Sequence, residues 1–111
     1  MISKDLIAAS SKPLILSFLA KKESYGYEII KNIKSISNNE IVWKEGTLYP
    51  VLKKLTENNL IESEWKTIEG RKRKYYRITD AGLKALKEEK AQWEIVNSTL
   101  KNIWGYALCL I

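Results

Sequence analysis

The segment KEGTLYPVLKKLTENNLI, residues 44–61, decides the fold of this chain. Four aliphatic residues recur along it at intervals of three and four positions: Leu48, Val51, Leu52 and Leu55. That spacing predicts a helix with one apolar face directed at a core. Asn58-Asn59 is predicted to end the helix, because asparagine tolerates the left-handed conformation at a helix C-terminus.

Pro50 sets the predicted start of this helix. Proline lacks a backbone N–H, so it must lie in or near the first turn, where donors are unpaired. The helix is therefore predicted to start at Gly46 or Thr47, with Thr47 as a candidate N-cap. On a helical wheel of about 100° per residue, the face opposite the aliphatic stripe carries Tyr49, Pro50, Lys53 and Lys54. Such a face suits either solvent or a polyanion, and the neighbouring segments decide between them.

The charge of the chain favours a nucleic-acid partner. It has 19 Lys and Arg residues against 13 Asp and Glu, a formal net charge of +6. All of the excess lies in residues 1–79, because residues 80–111 hold equal numbers of lysines and acids. A basic surplus concentrated in one part of a chain that is long enough for one domain is typical of nucleic-acid binders.

Composition also excludes several classes of function. The chain has no histidine and a single cysteine, Cys109, which excludes a Cys/His zinc cluster, a histidine-based triad and an internal disulfide. Carboxylates are scattered singly and no glycine-rich phosphate loop occurs, so neither an enzyme nor a cofactor is expected. No apolar run reaches the roughly 18 residues of a membrane span, and Asp5 and Lys12 interrupt the N-terminal stretch that could resemble a signal peptide. A reducing, cytoplasmic setting is expected.

Two helices are predicted before the deciding segment. Residues 2–20 form a largely apolar first helix, which Pro13 is expected to kink or restart. Ser24 is a candidate N-cap for a second helix over residues 25–37, where isoleucines repeat at helical spacing. The short apolar run at 41–43 could form a single bridge or strand.

A basic hairpin is predicted after the deciding segment. Residues 60–68 alternate in the pattern of a half-buried strand, with Trp65 on its apolar side. Glu69-Gly70 supplies a turn, and residues 74–78 form the return strand. The hairpin tip and return strand carry five cations and no acid: Arg71, Lys72, Arg73, Lys74 and Arg77.

This order of elements predicts a winged helix-turn-helix, a mainly α fold with a small β-hairpin. The winged domain is expected over residues 1–79, and a long C-terminal dimerisation helix, capped by Thr79, over residues 80–111. Helix three can fit the major groove, which is about 12 Å wide, while the hairpin neutralises backbone phosphates. The residues expected to contact DNA are Lys44, Thr47, Tyr49, Pro50, Lys53, Lys54, Arg71, Lys72, Arg73 and Lys74.

Three motifs in this order resemble the PadR family of bacterial transcriptional regulators. They are Tyr25-Gly-Tyr-Glu-Ile-Ile30, Gly46-Thr-Leu-Tyr-Pro-Val-Leu52 and Gly70-Arg-Lys-Arg-Lys-Tyr-Tyr-Arg-Ile-Thr79, the last followed by Ala81-Gly82-Leu83. The resemblance covers nearly the whole chain, and the single short C-terminal segment is similar to a compact branch that includes multidrug-sensing repressors. It implies a homodimeric repressor that binds a pseudo-palindromic DNA operator and is released by a small molecule.

The resemblance also bears on individual residues and on the alternatives. It implies that Tyr49, Lys53 and the hairpin face DNA, in agreement with the helical wheel. Tyr25 and Tyr27 either pack helix two or contact phosphate, and packing is expected for at least one of them. Two other functions stay compatible with the residues: a constitutive or architectural DNA-binding protein without an effector, and a winged helix that binds another protein.

The predicted C-terminal helix carries a three-four repeat of apolar residues, interrupted by Lys90, as in a coiled-coil seam. From Asp80 to Leu108 such a helix would be on the order of 43 Å long, so it must overhang its own domain. A second copy of the chain is the expected partner, and a helix folded back on helix one is the alternative. The apolar tail at 104–111 would fit a buried end, a partner contact or truncation. The seam residues are Leu83, Leu86, Trp93, Val96, Leu100, Ile103, Ala107 and Leu110.

Trp93 is the candidate effector-binding residue. Two copies would meet near the dimer axis, and rings that do not interlock would leave a slot for a planar aromatic guest, with cation–π attraction if it is positively charged. Leu6 and Pro13 of helix one are candidate walls, and Val96 and Asn97 are candidate contacts on the seam helix. The resemblance points the same way, since multidrug-sensing relatives carry a tryptophan at this place. The alternative is that Trp93 is plain dimer core.

Overall fold

The winged helix-turn-helix architecture is present in the computed structural model, which describes residues 2–105 of the chain. Its elements are, in order, α1 (Lys4–Lys21), β1 (Ser24–Tyr25), α2 (Gly26–Ile36), α3 (Glu45–Glu57), β2 (Ile61–Ile68), β3 (Arg71–Ile78) and α4 (Asp80–Trp104). The strands form one antiparallel sheet in the order β1-β3-β2. The predicted mainly α fold with a hairpin is therefore confirmed, and strand β1 ties the hairpin to the start of α2.

Helix α1 begins after Ser3, whose hydroxyl accepts a 3.2 Å hydrogen bond from the Leu6 amide. It continues to Lys21 without interruption, so the predicted restart at Pro13 does not occur. An interior proline costs a helix about 3 kcal/mol, whereas each fully buried aliphatic side chain contributes about 1.5–3 kcal/mol. The cost is offset here by three buried side chains: Ile15, Leu16 and Leu19.

The N-termini of α2 and α3 differ from their predicted positions. Ser24 is not the N-cap of α2 but lies in β1, and its buried hydroxyl donates to the Glu28 carboxylate one turn into the helix. α3 begins at Glu45, one or two residues earlier than predicted, and Thr47 does not cap it. The Lys44 carbonyl instead accepts a 2.9 Å hydrogen bond from the Thr47 amide, so backbone bonds alone start the helix.

The core forms where α3 packs against α1, α2 and the base of the hairpin. The C-terminal end of α3 follows the prediction, since Asn58 is its C-cap and Asn59 has a left-handed φ of 62°. Residues 41–43 are irregular rather than a strand, because Trp43 is buried in the core instead of pairing with another strand. The aliphatic face of α3 is buried or half-buried as predicted: Leu48, Val51, Leu52 and Leu55.

Strands β2 and β3 and the turn between them form the wing. The turn lies at Glu69-Gly70, where both residues have positive φ. Ile61 and Tyr76 at the base of the wing are buried, whereas Trp65 is 59% exposed. The prediction that Trp65 lies on a half-buried face is wrong, because the wing projects beyond the helices at that point.

Helix α4 starts as predicted, since the Thr79 hydroxyl accepts a 3.0 Å hydrogen bond from the Gly82 amide. Its first turns belong to the core, where Leu86 is 5% exposed. Glu89 then pairs with Lys12 of α1 at 3.4 Å. The first part of α4 therefore lies against the chain's own first helix.

The second part of α4 overhangs the winged domain. The helix has 25 residues, which is about 37 Å at roughly 1.5 Å per residue. The molecule measures 55 Å along its longest axis, and its radius of gyration of 16.0 Å exceeds the roughly 13 Å of a compact chain of this length. Residues 106–111, which include Ala107 and Leu110 of the predicted seam and Cys109 and most of the predicted tail, lie outside the described residues.

Candidate nucleic-acid interface

The outer face of α3 is basic and accessible. Within residues 2–105, neither Lys53 nor Lys54 is paired with a carboxylate, so both charges are available to a partner. Six of the predicted contact residues are exposed on this helix or at its start: Lys44, Thr47, Tyr49, Pro50, Lys53 and Lys54.

Aromatic rings lie beside three of the four predicted cations at the wing tip. The distances from the charged group to the ring centroid are 4.3 Å for Arg73 and Tyr25, 5.5 Å for Lys72 and Trp65, and 5.9 Å for Lys74 and Tyr76. Cation–π contacts contribute about 0.5–1 kcal/mol at exposed sites, and they limit the directions in which each charge can point. Of the four predicted cations at the wing tip, Arg73 is half-buried and three are exposed: Arg71, Lys72 and Lys74.

Arg77, the fifth cation of the hairpin, is engaged within the wing. Its Nε donates a 2.7 Å hydrogen bond to Glu62, and its Nη1 lies 3.6 Å from Glu64. The bond to Glu62 raises the pKa of Arg77 above its ordinary value. The stretch from Gly70 to Thr79 holds no acid, but the opposite strand supplies two, so the charge of Arg77 is offset at the base of the wing.

The wing and the start of α3 face each other across a cleft of about 590 Å³. Tyr49 and Arg71–Lys74 line this cleft, as predicted for DNA-facing residues. Pro50 and Lys54 instead border a second groove, of about 460 Å³, between α3 and α1. The structure therefore brings together the wing and the first turns of α3. Lys53 and Lys54 on the outer face of α3 lie beside the cleft rather than in it.

Several residues that line the cleft were not predicted as contacts. Trp65 was assigned to the inner side of its strand, although the cations on the facing strand were a signal that this side is solvated. Tyr25 and Tyr27, for which the sequence leaves packing and phosphate contact open, both line the cleft, with Tyr25 half-buried and Tyr27 61% exposed. Sequence spacing could not show that Gly26 lies across from the wing, because the wing residues are distant from it in the chain. The additional lining residues are Tyr25, Gly26, Tyr27, Glu45, Trp65 and Tyr76.

Two tyrosine hydroxyls in the cleft are kept neutral. Burial and the nearby charge of Glu45 raise the pKa of Tyr49 above its ordinary value of 10.0. Burial and the proximity of Tyr49 raise the pKa of Tyr76 in the same direction. Both hydroxyls are therefore protonated at neutral pH and able to donate a hydrogen bond.

The predicted effector and dimerisation residues lie on and beside α4. Pro13, Trp93 and Asn97 line one concave site of about 270 Å³ between α1 and α4. Val96 borders the neighbouring groove with Trp93, and Leu6 lines neither site. Among the predicted dimerisation residues, Leu86 lies in the core, Trp93 and Leu100 are half-buried, and Val96 and Ile103 are exposed.

Within residues 2–105, no helix could cross a membrane and no cluster of three potential metal ligands occurs. Comparison with known proteins identifies the family, because residues 15–88 match the Transcriptional regulator PadR-like family. The chain belongs to the PadR-like family. The matched residues run from the core of α1 to the first turns of α4 and include both walls of the cleft.

Solved structures of PadR-like and other regulators are similar along nearly the whole chain. A transcriptional regulator from Clostridium thermocellum is 38% identical with a TM-score of 0.84, over 92% of this chain and 97% of that one. A PadR-like transcriptional regulator from Bacillus cereus is 34% identical with a TM-score of 0.80, over 90% and 96%. Transcriptional regulator YqjI of Escherichia coli is 33% identical over 79% of this chain, which spans 41% of that protein. This PadR-like protein is thus a DNA-binding transcriptional regulator rather than an enzyme.

Proposed function

We propose that this PadR-like regulator is a homodimeric repressor that binds a pseudo-palindromic operator and leaves it when a planar aromatic molecule binds. In this proposal α3 enters the major groove and reads bases with Tyr49 and Lys53. The wing follows the adjacent backbone, where Arg71 and Lys72 contact phosphates. The cleft between the two elements supports this docking. The protein would act in the cytoplasm, where a bacterial operator lies.

The observation that supports the proposed dimer is the apolar stripe on the second half of α4. Val96 is 48% exposed and Ile103 is 74% exposed, with Leu100 half-buried between them. A second copy related by a two-fold axis would cover this stripe and place two wings on two half-sites. Leu86 has no part in that interface, because it is already buried in its own protomer.

The proposed effector site is the concave surface beside Trp93. Its indole supplies a flat wall, Pro13 of α1 faces it, and Asn97 offers a polar contact one turn away. A planar aromatic guest would stack on the indole. Lys90 also lines the site and opposes a positively charged guest, so neutral and cationic compounds both belong in the test.

Release of DNA by a dye tests the repressor mechanism. A labelled duplex from the region upstream of the protein's own gene is titrated with protein, then with neutral and cationic planar dyes, and its anisotropy is followed. The wild type should release the duplex. Trp93→Ala should bind the duplex with unchanged affinity and as a dimer, but should not release it. Ile95→Ala, an exposed change on the same helix outside the site, is the control and should behave as the wild type.

Three results would contradict parts of this proposal. If the Trp93→Ala variant still releases the duplex when a dye is added, the proposed effector site is wrong. Dissociation of the Trp93→Ala dimer in light scattering would make Trp93 part of the dimer core. Binding of the wild type that no dye weakens would favour the alternative of a constitutive DNA-binding protein.

A further inference from the structure

A close contact between α2 and α3 determines where the Tyr49 ring lies. Gly26 is the first residue of α2, and a Cβ atom on it would lie 2.7 Å from Cζ of Tyr49 and closer still to the hydroxyl oxygen. Ordinary contacts of a Cβ atom begin at 3.4 Å. No side chain therefore fits between the start of α2 and the ring. Gly26 does not have a positive φ, so its lack of a side chain matters here rather than its backbone freedom.

The Tyr49 ring also lies beside the wing. Tyr49 and Tyr76 line the same cleft, and they are close enough for one to raise the pKa of the other. Tyr49 is still 42% exposed, and it lines the open cleft. The side chain is thus held between α2 and β3 while one edge stays available to a partner.

We infer that Gly26 is a positioning residue for DNA recognition, which leaves room for the Tyr49 ring and so fixes its hydroxyl at the mouth of the cleft. This inference rests on the proposed contact between Tyr49 and DNA. Ordering a free tyrosine on binding costs conformational entropy, and a ring that is already held avoids that cost. A Cβ at Gly26 would move the hydroxyl by more than the roughly 0.7 Å that restores ordinary contact with Cζ, because the hydroxyl oxygen lies closer still. A shift of that size breaks a hydrogen bond, whose O–H···O distance spans only about 2.5–3.0 Å.

Gly26→Ala separates recognition from stability. Alanine is a better helix former than glycine, and the atoms it displaces are the far end of a flexible side chain rather than backbone. The variant should therefore fold as well as the wild type while the Tyr49 ring moves. Gly46→Ala is the matched control for the ring, because a Cβ there meets nothing within 4 Å. The Tyr49 ring signals in NMR, identified by their loss in Tyr49→Ala, should shift in Gly26→Ala and stay in place in Gly46→Ala.

The DNA readout uses a duplex that the wild type selects from a random-sequence library. Affinities for this selected duplex and for random duplex are measured for the wild type, Gly26→Ala, Tyr49→Ala and the double variant. Gly26→Ala should lower the ratio of the two affinities by about tenfold, the size expected for one lost base contact. The ratio of the two affinities should fall no further in the double variant than in Tyr49→Ala alone, since Gly26 acts through the Tyr49 ring.

The outcomes distinguish this inference from the docking proposal. If Tyr49→Ala lowers the affinity ratio but Gly26→Ala does not, the positioning role is wrong and the DNA contact stands. If Gly26→Ala lowers the affinity ratio equally in the presence and absence of Tyr49, the inference is also overturned, because the effect would then not depend on the ring. If Tyr49→Ala leaves the ratio unchanged, Tyr49 does not read DNA and the inference falls with it.

Discussion

At the scale of single residues, the cleft combines cations that sequence could predict with aromatic neighbours that it could not. Arg71, Lys72 and Lys74 were predictable because their stretch of the chain holds only positive charge. The ring beside Lys74 is Tyr76 of the same strand. The ring beside Lys72 belongs to the facing strand and the ring beside Arg73 to β1, and spacing along one segment does not reveal such neighbours. The role of Gly26 was hidden for the same reason, although the glycine itself stands in a recognisable motif.

The neutral tyrosines lead to a prediction about pH. The pKa values of Tyr49 and Tyr76 are raised in the folded chain, and the chain has no histidine. The stability that comes from the neutral hydroxyls is fully present below their unfolded pKa near 10 and is lost as pH rises through the higher folded values. DNA affinity at constant salt should therefore be flat from about pH 6 to about pH 9. Fluorescence anisotropy checks this, and a fall inside that window would show that a group needed for DNA binding loses its proton there.

At the scale of elements, buried faces were easier to predict than element ends. The aliphatic spacing of α3 sufficed to predict its buried side, because a helix must direct such a stripe at a core. Its start depends on backbone hydrogen bonds to the Lys44 carbonyl, which no side chain in the sequence indicates. Strand β1 has two residues and exists through its pairing with β3, so no local pattern could predict it. The exposure of Trp65 depends on how far the wing projects.

The docking of α4 leads to a prediction about stability. A Cβ on Gly82 would lie 3.0 Å from the Leu60 carbonyl carbon and 2.6 Å from Cγ1 of Ile78. The backbone of Leu60 cannot move aside as a side chain can, so Gly82→Ala should destabilise the fold by about 1–3 kcal/mol. Urea unfolding measures this, with Gly46→Ala as the control that should leave stability unchanged or raise it by up to about 1 kcal/mol. An unchanged midpoint for Gly82→Ala would mean that α4 does not pack this closely on the hairpin.

At the scale of the whole molecule, α4 is part of the winged domain and also of the proposed dimer interface. Its first turns complete the core of the winged domain through Leu86, and its later turns carry the stripe proposed to bind a second copy. The domain boundary expected at residues 79 and 80 therefore separates residues that share one core. Sequence periodicity ran through both parts of the helix, and it could not show which leucines face the chain's own core.

Two truncations test this division of α4. A chain that ends after Lys90 keeps Leu86 and should fold as a monomer, because it lacks the stripe. A chain that ends at Thr79 lacks Leu86 together with the rest of the first turns of α4, and it should lose at least the roughly 2–5 kcal/mol of stability that removal of one buried leucine costs. Light scattering and urea unfolding of both chains provide the measurements. A dimer of the longer chain would contradict the proposed interface, and equal stability of the two would contradict the placement of Leu86 in the core.

The most direct test of the central claim measures how α3 and the wing contribute to DNA binding. Affinities for a selected duplex and for random duplex are determined over a range of salt concentrations. Lys72→Ala should weaken both complexes equally and flatten the log–log salt dependence by roughly one unit, because it removes a phosphate contact. Arg77→Ala, which removes a charge already paired within the wing, should change that slope much less. Tyr49→Ala and Lys53→Ala should instead lower the ratio of selected to random affinity. If wing and helix variants behave alike, or if neither changes binding, the proposed docking of this regulator on DNA is wrong.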